Sequence, residues 1–567
     1  MKNKTLSVLS MLLTAMLLAT TLMAQQPEIT VVEANLAKER LRSLLLRPPQ
    51  GVTYLVVAPQ KFLSTVLPLA RLRQQQGQQV KCVALEAVIA IMGKGDHPLR
   101  RFLGVVMEQW PAPALKFVVL AADTTTDSAI IPGIPTLYVK DYLGQLLASD
   151  HPYVETVTDT GSVMVGRLPA RNVKELQAMV AKIVEYEERQ AVGLWQRRVS
   201  FIAGEGNYGA TADSVLEGIV TNLLTSYIPG WYDVTMTYAN PNSPYFFPAR
   251  RFPQLVTERM NEGALFMVYI GHGSRNSLGQ IAVAGQNYEI FHTRHVSEVE
   301  VTQGFPVMVS VACSTGYFDD RRDCLGEALI KRRRGPVAFI GSSRISHPYG
   351  NILLGKAMLN AIFQEHAMTV GELLRQTRHE LFKPPLFDVS RYLIEAGVGY
   401  FAGKDLPMQQ LRNDHAYLYN LLGDPATRIC FADSLQDFTV ARTMVGSQET
   451  LTITGAATEI LQGSQIYATC EVPLNVILKP ATTATTTASG PDQHDQTMAA
   501  YRQANDKVVA TQYGTVPLQH GTEPLPRWQV VLKPATPLAT GEYLIKIAIL
   551  APDGLRVGVQ MLIVGKN

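Results

Sequence analysis

Short apolar runs alternate with stretches of helical periodicity along most of the chain. The first series contains TYLVVAP, QQVKCVAL and PALKFVVLAAD, followed by a predicted helix from Val173 to Glu188. The second contains RRVSFIAGEG, ALFMVYIGHGS, FPVMVSVACS and GPVAFIGSS, with helices predicted at about 213–227, 353–365 and 368–382. Such alternation predicts βαβ units and largely parallel sheets. We therefore expect two α/β subdomains, at residues 53–195 and 196–432.

The pattern changes in residues 433–567, which carry little helical periodicity. Stretches rich in Thr, Val and Ile are separated there by turn residues, among them ETLTITG, SQIYATCEV, RWQVVLKP and GEYLIKIAIL. This pattern predicts an all-β, immunoglobulin-like sandwich at the C-terminus. Within it, residues 480–496 are polar and of low complexity, so we expect a surface loop without fixed structure.

The N-terminus has the pattern of a signal peptide. Lys2 and Lys4 precede an uncharged apolar run from Leu6 to Met23, and the small residue Ala24 follows. We expect cleavage near Ala24, with residues 1–24 as the signal peptide and 25–52 as an N-terminal extension. A membrane anchor is the alternative. The signal peptide therefore predicts an exported protein that is periplasmic, cell-surface or extracellular and is not stably inserted in a membrane after cleavage.

Charge and cysteine content narrow the function classes. Lys and Arg total 51 against 48 Asp and Glu, a net charge of +3 that provides no field suited to nucleic acid or anionic lipid. The five cysteines are odd in number and scattered, and none has zinc-site spacing; they are Cys82, Cys313, Cys324, Cys430 and Cys470. The sequence therefore predicts neither a disulfide framework nor a structural metal centre built on cysteine.

Two apolar runs end in residues able to carry acyl-transfer chemistry. His272 follows one run in YIGHGS, and Cys313 follows another in SVACS, 41 positions later. Neighbouring parallel strands would place them side by side at the carboxyl edge of the sheet. A thiol and an imidazole supply a nucleophile and a proton donor. Taken singly, each is more typical of a buried thiol or a turn residue; the pair favours catalysis.

An ordered set of motifs extends this hypothesis. GHGS, VAC, GYF, CLGEALI, GPVAFIGSSR and YNLLGDP, together with FVVLAADTT, SDHPYV and VGRLPARN earlier in the chain, resemble the gingipain family of caspase-like cysteine peptidases over about residues 53–429. The resemblance implies a caspase-like catalytic domain built from the two α/β subdomains, followed by the sandwich.

The resemblance also implies roles for individual residues. Cys313 would attack the scissile carbonyl while His272 protonates the departing amine, and the N–H groups of Gly273 and Cys313 would hold the oxyanion. Glu205 would orient the histidine, although a solvated loop carboxylate is the plain alternative. Asp213 would lie at the base of a pocket selective for Arg or Lys. An ordinary helix N-cap is the alternative for Asp213.

These expectations describe a secreted cysteine endopeptidase acting on proteins or peptides, without a catalytic cofactor and without nucleic acid as a partner. The resemblance implies structural calcium, for which no ligand set has recognisable spacing. The sequence leaves the oligomeric state open. A transpeptidase or processing enzyme using the same dyad is one alternative. A catalytically silent, surface-binding scaffold is another.

Some positions depart from the family pattern or have a plainer interpretation. Leu278 stands where arginine-specific members carry an aromatic residue, and His347 or Tyr349 could replace the Trp that is missing from the pocket-capping segment. Cys324 is expected in the core rather than as a second nucleophile. The basic run 331–334 is expected to be a solvated helix end.

Overall fold

The computed structural model describes residues 29–565 apart from several internal gaps. These are 128–130, 156–161, 189–191, 207–217, 219–221, 242, 284, 384–387, 403–405, 436, 459–460, 474–490 and 518–526. The expected signal peptide and Asp213 therefore lie outside the described residues.

Strands and helices alternate in the first half of the described chain. In chain order they are β1 (Thr30–Val32), α1 (Lys38–Leu46), β2 (Tyr54–Ala58), α2 (Leu63–Gln75), β3 (Val80–Ala84), α3 (Leu85–Met92), α4 (Pro98–Gln109), β4 (Phe117–Leu120), β5 (Leu137–Lys140), β6 (Leu146–Ser149), β7 (Met164–Arg167) and α5 (Val173–Glu188). Strands β2, β3 and β4 are buried along their whole length, as expected of interior strands in an α/β sheet.

The second half repeats the alternation and then becomes helical. Its elements are β8 (Arg198–Ala203), β9 (Asp233–Tyr238), α6 (Phe252–Asn261), β10 (Phe266–Ile270), β11 (Gln280–Val283), β12 (Gln286–Glu289), β13 (Val307–Val311), α7 (Leu325–Lys331), β14 (Ala338–Ser342), α8 (Pro348–Phe363), α9 (Val370–Phe382), α10 (Val389–Ala402), α11 (Met408–Leu418) and β15 (Tyr419–Leu422). Residues 222–227 are also helical, and most of the remainder of the helix predicted at 213–227 lies outside the described residues.

Both halves contribute to one large sheet. Its eleven strands among the described residues lie in the order β1-β3-β2-β4-β7-β15-β14-β13-β10-β8-β9. Every neighbouring pair is parallel except β14 and β15, where Ile340 faces Leu421 in antiparallel register. The expected mostly parallel α/β fold is confirmed. The strands of the two halves point in opposite directions, because the antiparallel pair joins the two parallel sets.

Part of the segment 25–52, which is predicted as an N-terminal extension, belongs to the sheet. Strand β1 pairs in parallel with β3, with Val31 opposite Cys82. Helix α1 follows and buries Leu41 and Leu45. The expected N-terminal extension thus supplies an edge strand. Three residues are too few to give a readable strand signal.

The C-terminal region is a two-sheet sandwich, as predicted. Its elements are β16 (Asp433–Ser434), β17 (Phe438–Val445), β18 (Gln448–Ala456), β19 (Gln465–Glu471), α12 (Pro491–Asn505), β20 (Val508–Thr515), β21 (Arg527–Leu532), β22 (Gly541–Ala551) and β23 (Gly554–Val564). One sheet has the order β16-β23-β22-β19-β20 and the other β17-β18-β21. Burial alternates along β18, so one face packs in the core.

Helix α12 corrects the prediction of an unstructured loop at 480–496. Residues 491–496 are the start of this helix, while 480–490 lie outside the described residues. The helix docks on edge strand β9 of the large sheet. The Tyr501 hydroxyl lies 2.9 Å from Thr237 Oγ1, and Lys507 donates to Val234 O at 2.6 Å. The sandwich therefore covers an open sheet edge.

Candidate active site

Strands β10 and β13 bring the two candidate reactive residues to the same edge of the sheet. The strands are parallel neighbours, and Ile270 pairs with Val311. His272 and Cys313 each lie two positions beyond that pair, so both leave the sheet at the same level. Their loops are in contact, because a Cβ added to Gly273 would lie 2.7 Å from Cys313 O.

The loop that carries His272 is fixed by Tyr269. The Tyr269 hydroxyl is buried, donates to His272 O at 2.6 Å and accepts from Gly279 N at 3.0 Å. Gly271 has φ 156°, and an added Cβ there would lie 2.8 Å from the Tyr269 oxygen and 2.9 Å from Gly204 Cα. Only glycine allows this close approach.

The imidazole of His272 is exposed, and its outer nitrogen faces a carbonyl. His272 Nε2 lies 2.8 Å from Gly206 O. A carbonyl oxygen can only accept, so Nε2 carries the hydrogen in the neutral ring. The other nitrogen, Nδ1, is then the one able to take up and release a proton.

A tight turn holds Cys313 beyond β13. Ser314 adopts φ 56°, and its N–H donates to Arg344 O and to Ser342 Oγ, both at 2.9 Å. The turn is thereby tied to the end of β14. Cys313 itself is half-buried. Its Sγ accepts from Ser346 N at 3.4 Å and lies 3.6 Å from Ser346 Oγ.

Amide groups for an oxyanion are available beside the sulfur. The hydrogen bonds found among the described residues use the N–H of Ser314 but not that of Gly273 or Cys313. Ser314 is thus committed to holding the turn. The assignment of Gly273 and Cys313 to the oxyanion stays a prediction from the resemblance.

A cavity of about 170 Å³ opens beside His272. Its described wall is mostly apolar, with Met236, Val268 and Ile352 among its members, and it also includes Glu205 and His272. Cys313 is not part of that wall; Asn351 is, and Asn351 contacts the Ser346 hydroxyl. Glu205 is therefore placed near the imidazole, and its neighbour Gly206 supplies the carbonyl described above.

Sequence reasoning missed the residue that contacts the sulfur and the two residues behind it. Ser346, Asn351 and Tyr419 come from a loop, a helix and a strand and form a hydrogen-bonded series ending at Cys313. Their polar side chains carry no motif of their own. The available signal was the position of Ser346 just after the carboxyl end of a buried strand, where α/β sheets place functional groups.

Several positions differ from expectation because of tertiary contacts. Leu278 is fully buried and serves the core. Tyr349 is also buried, and its hydroxyl donates to Glu395, so it does not cap a pocket. His347 is half-buried and accepts Tyr349 N–H at the start of α8, and burial lowers its pKa. Cys324, in contrast, is buried at the start of α7, which confirms the prediction that it belongs to the core.

Lys331 departs from the solvated basic run predicted at the end of α7, whereas Arg332, Arg333 and Arg334 are partly exposed. Lys331 is largely buried, and its ammonium lies 2.7 Å from Asp323 and 3.5 Å from Asp123. Burial alone would lower the pKa of Lys331, but the carboxylates of Glu327, Asp323 and Asp123 raise it. The ammonium therefore stays charged and neutralises this acidic cluster.

The same cluster bears on the calcium expectation. Asp123, Asp323 and Glu327 are the carboxylates that, within the described ranges, lie close enough together to share a metal ion. Lys331 lies among them, and Arg171 Nε is 2.7 Å from Asp123. Two protein cations already balance these carboxylates, so this set does not fit calcium. Calcium binding stays a prediction from the resemblance.

None of the helices in the described part of the chain combines the length and apolar character needed to cross a lipid bilayer.

Comparison with known proteins agrees with this architecture. The profile of Peptidase family C25 matches residues 47–430. Gingipain R2 of Porphyromonas gingivalis strain W83 is 25% identical over 322 residues, which are 55% of this chain and 39% of that protein. Gingipain R1 of Porphyromonas gingivalis is 27% identical over 262 residues, 44% of this chain and 23% of that protein. The match thus spans well under half of these relatives.

A solved structure shares the fold. The crystal structure of the Arg specific cysteine proteinase gingipain R has a TM-score of 0.50 and 16% sequence identity, covering 92% of this chain and 99% of that chain. The fold and the family match together define a caspase-like cysteine peptidase. The chain belongs to Peptidase family C25, the family of the gingipains.

Proposed function

We propose that this protein is an exported cysteine endopeptidase in which Cys313 is the nucleophile and His272 the general acid and base. One observation carries the proposal: parallel register places the two residues at the same level beyond adjacent strands. The contacting loops and the cavity beside the imidazole support it.

The proposed reaction begins with attack of Cys313 Sγ, as the thiolate, on the scissile carbonyl carbon. The carbonyl oxygen becomes an oxyanion, which the N–H groups of Gly273 and Cys313 bind. Collapse of this intermediate breaks the C–N bond, and His272 Nδ1 donates a proton to the leaving amine. Water, deprotonated by His272, then hydrolyses the thioester and releases the thiol.

Glu205 is proposed to orient His272 and favour its protonated form. The carboxylate belongs to the same cavity wall as the imidazole. The neighbouring Gly206 carbonyl fixes the ring orientation, so Glu205 acts together with a backbone acceptor rather than alone. A Glu205→Gln variant is expected to keep the ring in place while lowering kcat.

A preference for Arg or Lys before the cleaved bond is a finer proposal. The relative of known structure is named an Arg specific proteinase. The cavity has an apolar wall able to contact the stem of a long side chain, and Glu205 supplies negative charge. Asp213, the proposed base of the pocket, lies outside the described residues.

The test compares wild-type protein with Cys313→Ala on casein and on fluorogenic peptides ending in Arg, Lys or Leu. We expect the wild type to cleave and Cys313→Ala to lose at least about a thousandfold in rate. Cys430→Ala, a half-buried thiol outside the site, is the matched control and should retain activity. Equal cleavage by wild type and Cys313→Ala would rule out the mechanism.

The same assay distinguishes the two alternatives. A transpeptidase would join the acyl group to an added amine, giving a product of defined higher mass. A silent scaffold would cleave nothing and leave Cys313 intact after incubation with a substrate-like chloromethyl ketone. Export is tested by N-terminal sequencing of protein recovered outside the cytoplasm, where a mature terminus near Gln25 is expected.

A further inference from the structure

We propose that Ser346 stabilises the sulfur of Cys313 as a thiolate, with Asn351 and Tyr419 as positioning residues behind it. This inference rests on the proposed function, because it assigns a role to side chains that lie beside the candidate nucleophile. Four side chains take part, in the order Tyr419 on β15, Asn351 on α8, Ser346 on a loop and Cys313 on the turn after β13.

Two donors face the sulfur from one residue. Ser346 N–H donates to Cys313 Sγ at 3.4 Å, and the Ser346 hydroxyl lies 3.6 Å from the same atom. These are ordinary distances for hydrogen bonds to sulfur, whose radius is larger than that of oxygen. In the neutral thiol the S–H instead points to Ser346 O, also at 3.6 Å. Ionisation therefore gives up one weak contact with an acceptor, while the two Ser346 donors can both face the sulfur.

The remaining side chains leave the Ser346 hydroxyl free to act as a donor. Tyr419 O–H donates to Asn351 Oδ1 at 2.7 Å, and Asn351 Nδ2 donates to Ser346 Oγ at 2.8 Å. A serine oxygen that accepts from an amide keeps its own hydrogen for another partner, and the sulfur is within reach. The Ser346 hydrogen is thus available to Cys313 Sγ, which lies 3.6 Å from Ser346 Oγ.

Tyr419 anchors the orientation of the amide. It is fully buried, and its hydroxyl donates to Asn351 Oδ1, so the Asn351 NH₂ faces Ser346. Burial raises the pKa of Tyr419 above its usual range, so the phenol remains a donor throughout the working range of a peptidase.

Hydrogen bonds to a charged acceptor are stronger than those to a neutral one. The series therefore favours the thiolate over the thiol. The exposed His272 remains available for proton transfer to the substrate, while Ser346 contacts the resting sulfur. Ser346 touches the reacting atom; Asn351 and Tyr419 act only through it.

The test is the rate at which iodoacetamide alkylates Cys313 from pH 5 to 10, followed by peptide mass spectrometry on the full chain. Ser346→Ala and Asn351→Ala should each slow alkylation at pH 7 by about tenfold and move the pH profile upward. Tyr419→Phe should slow it by about threefold. Ser346→Thr keeps a hydroxyl and should restore most of the rate.

Asn360→Ala is the matched control, because Asn360 lies on the same helix and its side chain donates to exposed Glu365. Its profile should equal that of the wild type. Profiles unchanged in both Ser346→Ala and Asn351→Ala, with native circular dichroism, would overturn the proposal. If Asn351→Ala does not fold, Ser346→Ala and Tyr419→Phe decide the question.

Failure of the proposed function has a different signature. Hydrolysis retained by Cys313→Ala would reject the nucleophile, whatever the alkylation profiles show. Alkylation depends only on the sulfur and its donors, so unchanged profiles beside normal, Cys313-dependent hydrolysis would reject the thiolate-stabilising series alone.

Discussion

The side-chain amide of Asn505 binds the backbone N–H and C=O of Met236, as the backbone of a neighbouring strand would. Met236 N donates to Asn505 Oδ1 at 2.8 Å, and Asn505 Nδ2 donates to Met236 O at 2.9 Å. One side-chain amide thus satisfies both backbone groups of a residue on edge strand β9. The sandwich is joined to the large sheet by backbone-like hydrogen bonds as well as by packing.

Replacing Asn505 by Ala should weaken this junction. Two hydrogen bonds are lost and the half-covered backbone groups of Met236 are left without partners, so we expect the free energy of unfolding to fall by about 2 kcal/mol. Urea titration followed by fluorescence measures the change. Gln503→Ala, on the exposed side of the same helix, should change stability by less than about 0.5 kcal/mol. Equal effects of the two changes would contradict the role of Asn505.

Tyr269→Phe should impair catalysis more than stability. The change keeps the buried ring but removes the hydroxyl that holds His272 O and Gly279 N. We expect kcat to fall by about tenfold or more because the imidazole is less well positioned, with a loss of stability near 1–2 kcal/mol. Tyr543→Phe removes a hydroxyl bond to Ala539 in the sandwich and should leave kcat unchanged. Identical kcat values for wild type and Tyr269→Phe would refute this role.

His415 should make the fold sensitive to acid. Its ring is fully buried between Leu411 O and His347 N, and burial lowers its pKa to about 4. The folded state then binds its proton less readily than the unfolded chain, whose histidine pKa is about 6.5. Stability from this group is complete above about pH 6.5 and falls between there and pH 4, by roughly 3 kcal/mol in all.

Unfolding titrations at several pH values between 7 and 4 test this slope. His415→Gln keeps a donor and an acceptor but does not titrate, so its stability should depend less on pH than that of the wild type. His379→Gln, at an exposed position on α9, should keep the wild-type dependence. If the free energy of unfolding of His415→Gln depends on pH as steeply as that of the wild type, other groups cause the acid sensitivity.

Lys331→Met should be strongly destabilising. It removes one of the two cations that balance Asp123 and Asp323, Arg171 being the other, and it takes the nearby ammonium away from buried Glu327. Removing one partner from a buried ion pair costs about 3–5 kcal/mol. Lys383→Met breaks an exposed pair with Glu380 and should cost less than about 1 kcal/mol. A calorimetric melting temperature that falls equally in both variants would contradict the account of the cluster.

The sequence was sufficient for the strands that carry the candidate site. β10 and β13 are dense apolar runs that end in Gly or small residues. This local pattern identifies a buried strand and its carboxyl end without any information about the neighbouring strands. The alternating Thr, Val and Ile of β18 and its neighbours likewise predicted the sandwich. In both cases the signal is local, so tertiary contacts did not override it.

Other features depend on partners distant in sequence. Lys331 is buried because Asp123, about 200 positions earlier, lies beside it; its neighbours Arg332 to Arg334 gave the misleading appearance of a solvated run. The series that connects Cys313 with Ser346, Asn351 and Tyr419 forms only when a loop, a helix and a strand pack together in the folded chain. The periodicity of the local sequence does not predict such long-range contacts.

Strand β15 sets the order in which the protein can be completed. It lies between β7 and β14 at the centre of the large sheet, yet it is the last of the sheet's strands to be synthesised. Until residue 422 is available, β7 and β14 each have an unpaired edge in the middle of what will become the core. In a nascent or truncated chain that ends before Tyr419, the two half-sheets therefore lack the strand that joins them. We expect the chain to be most prone to aggregation at this stage.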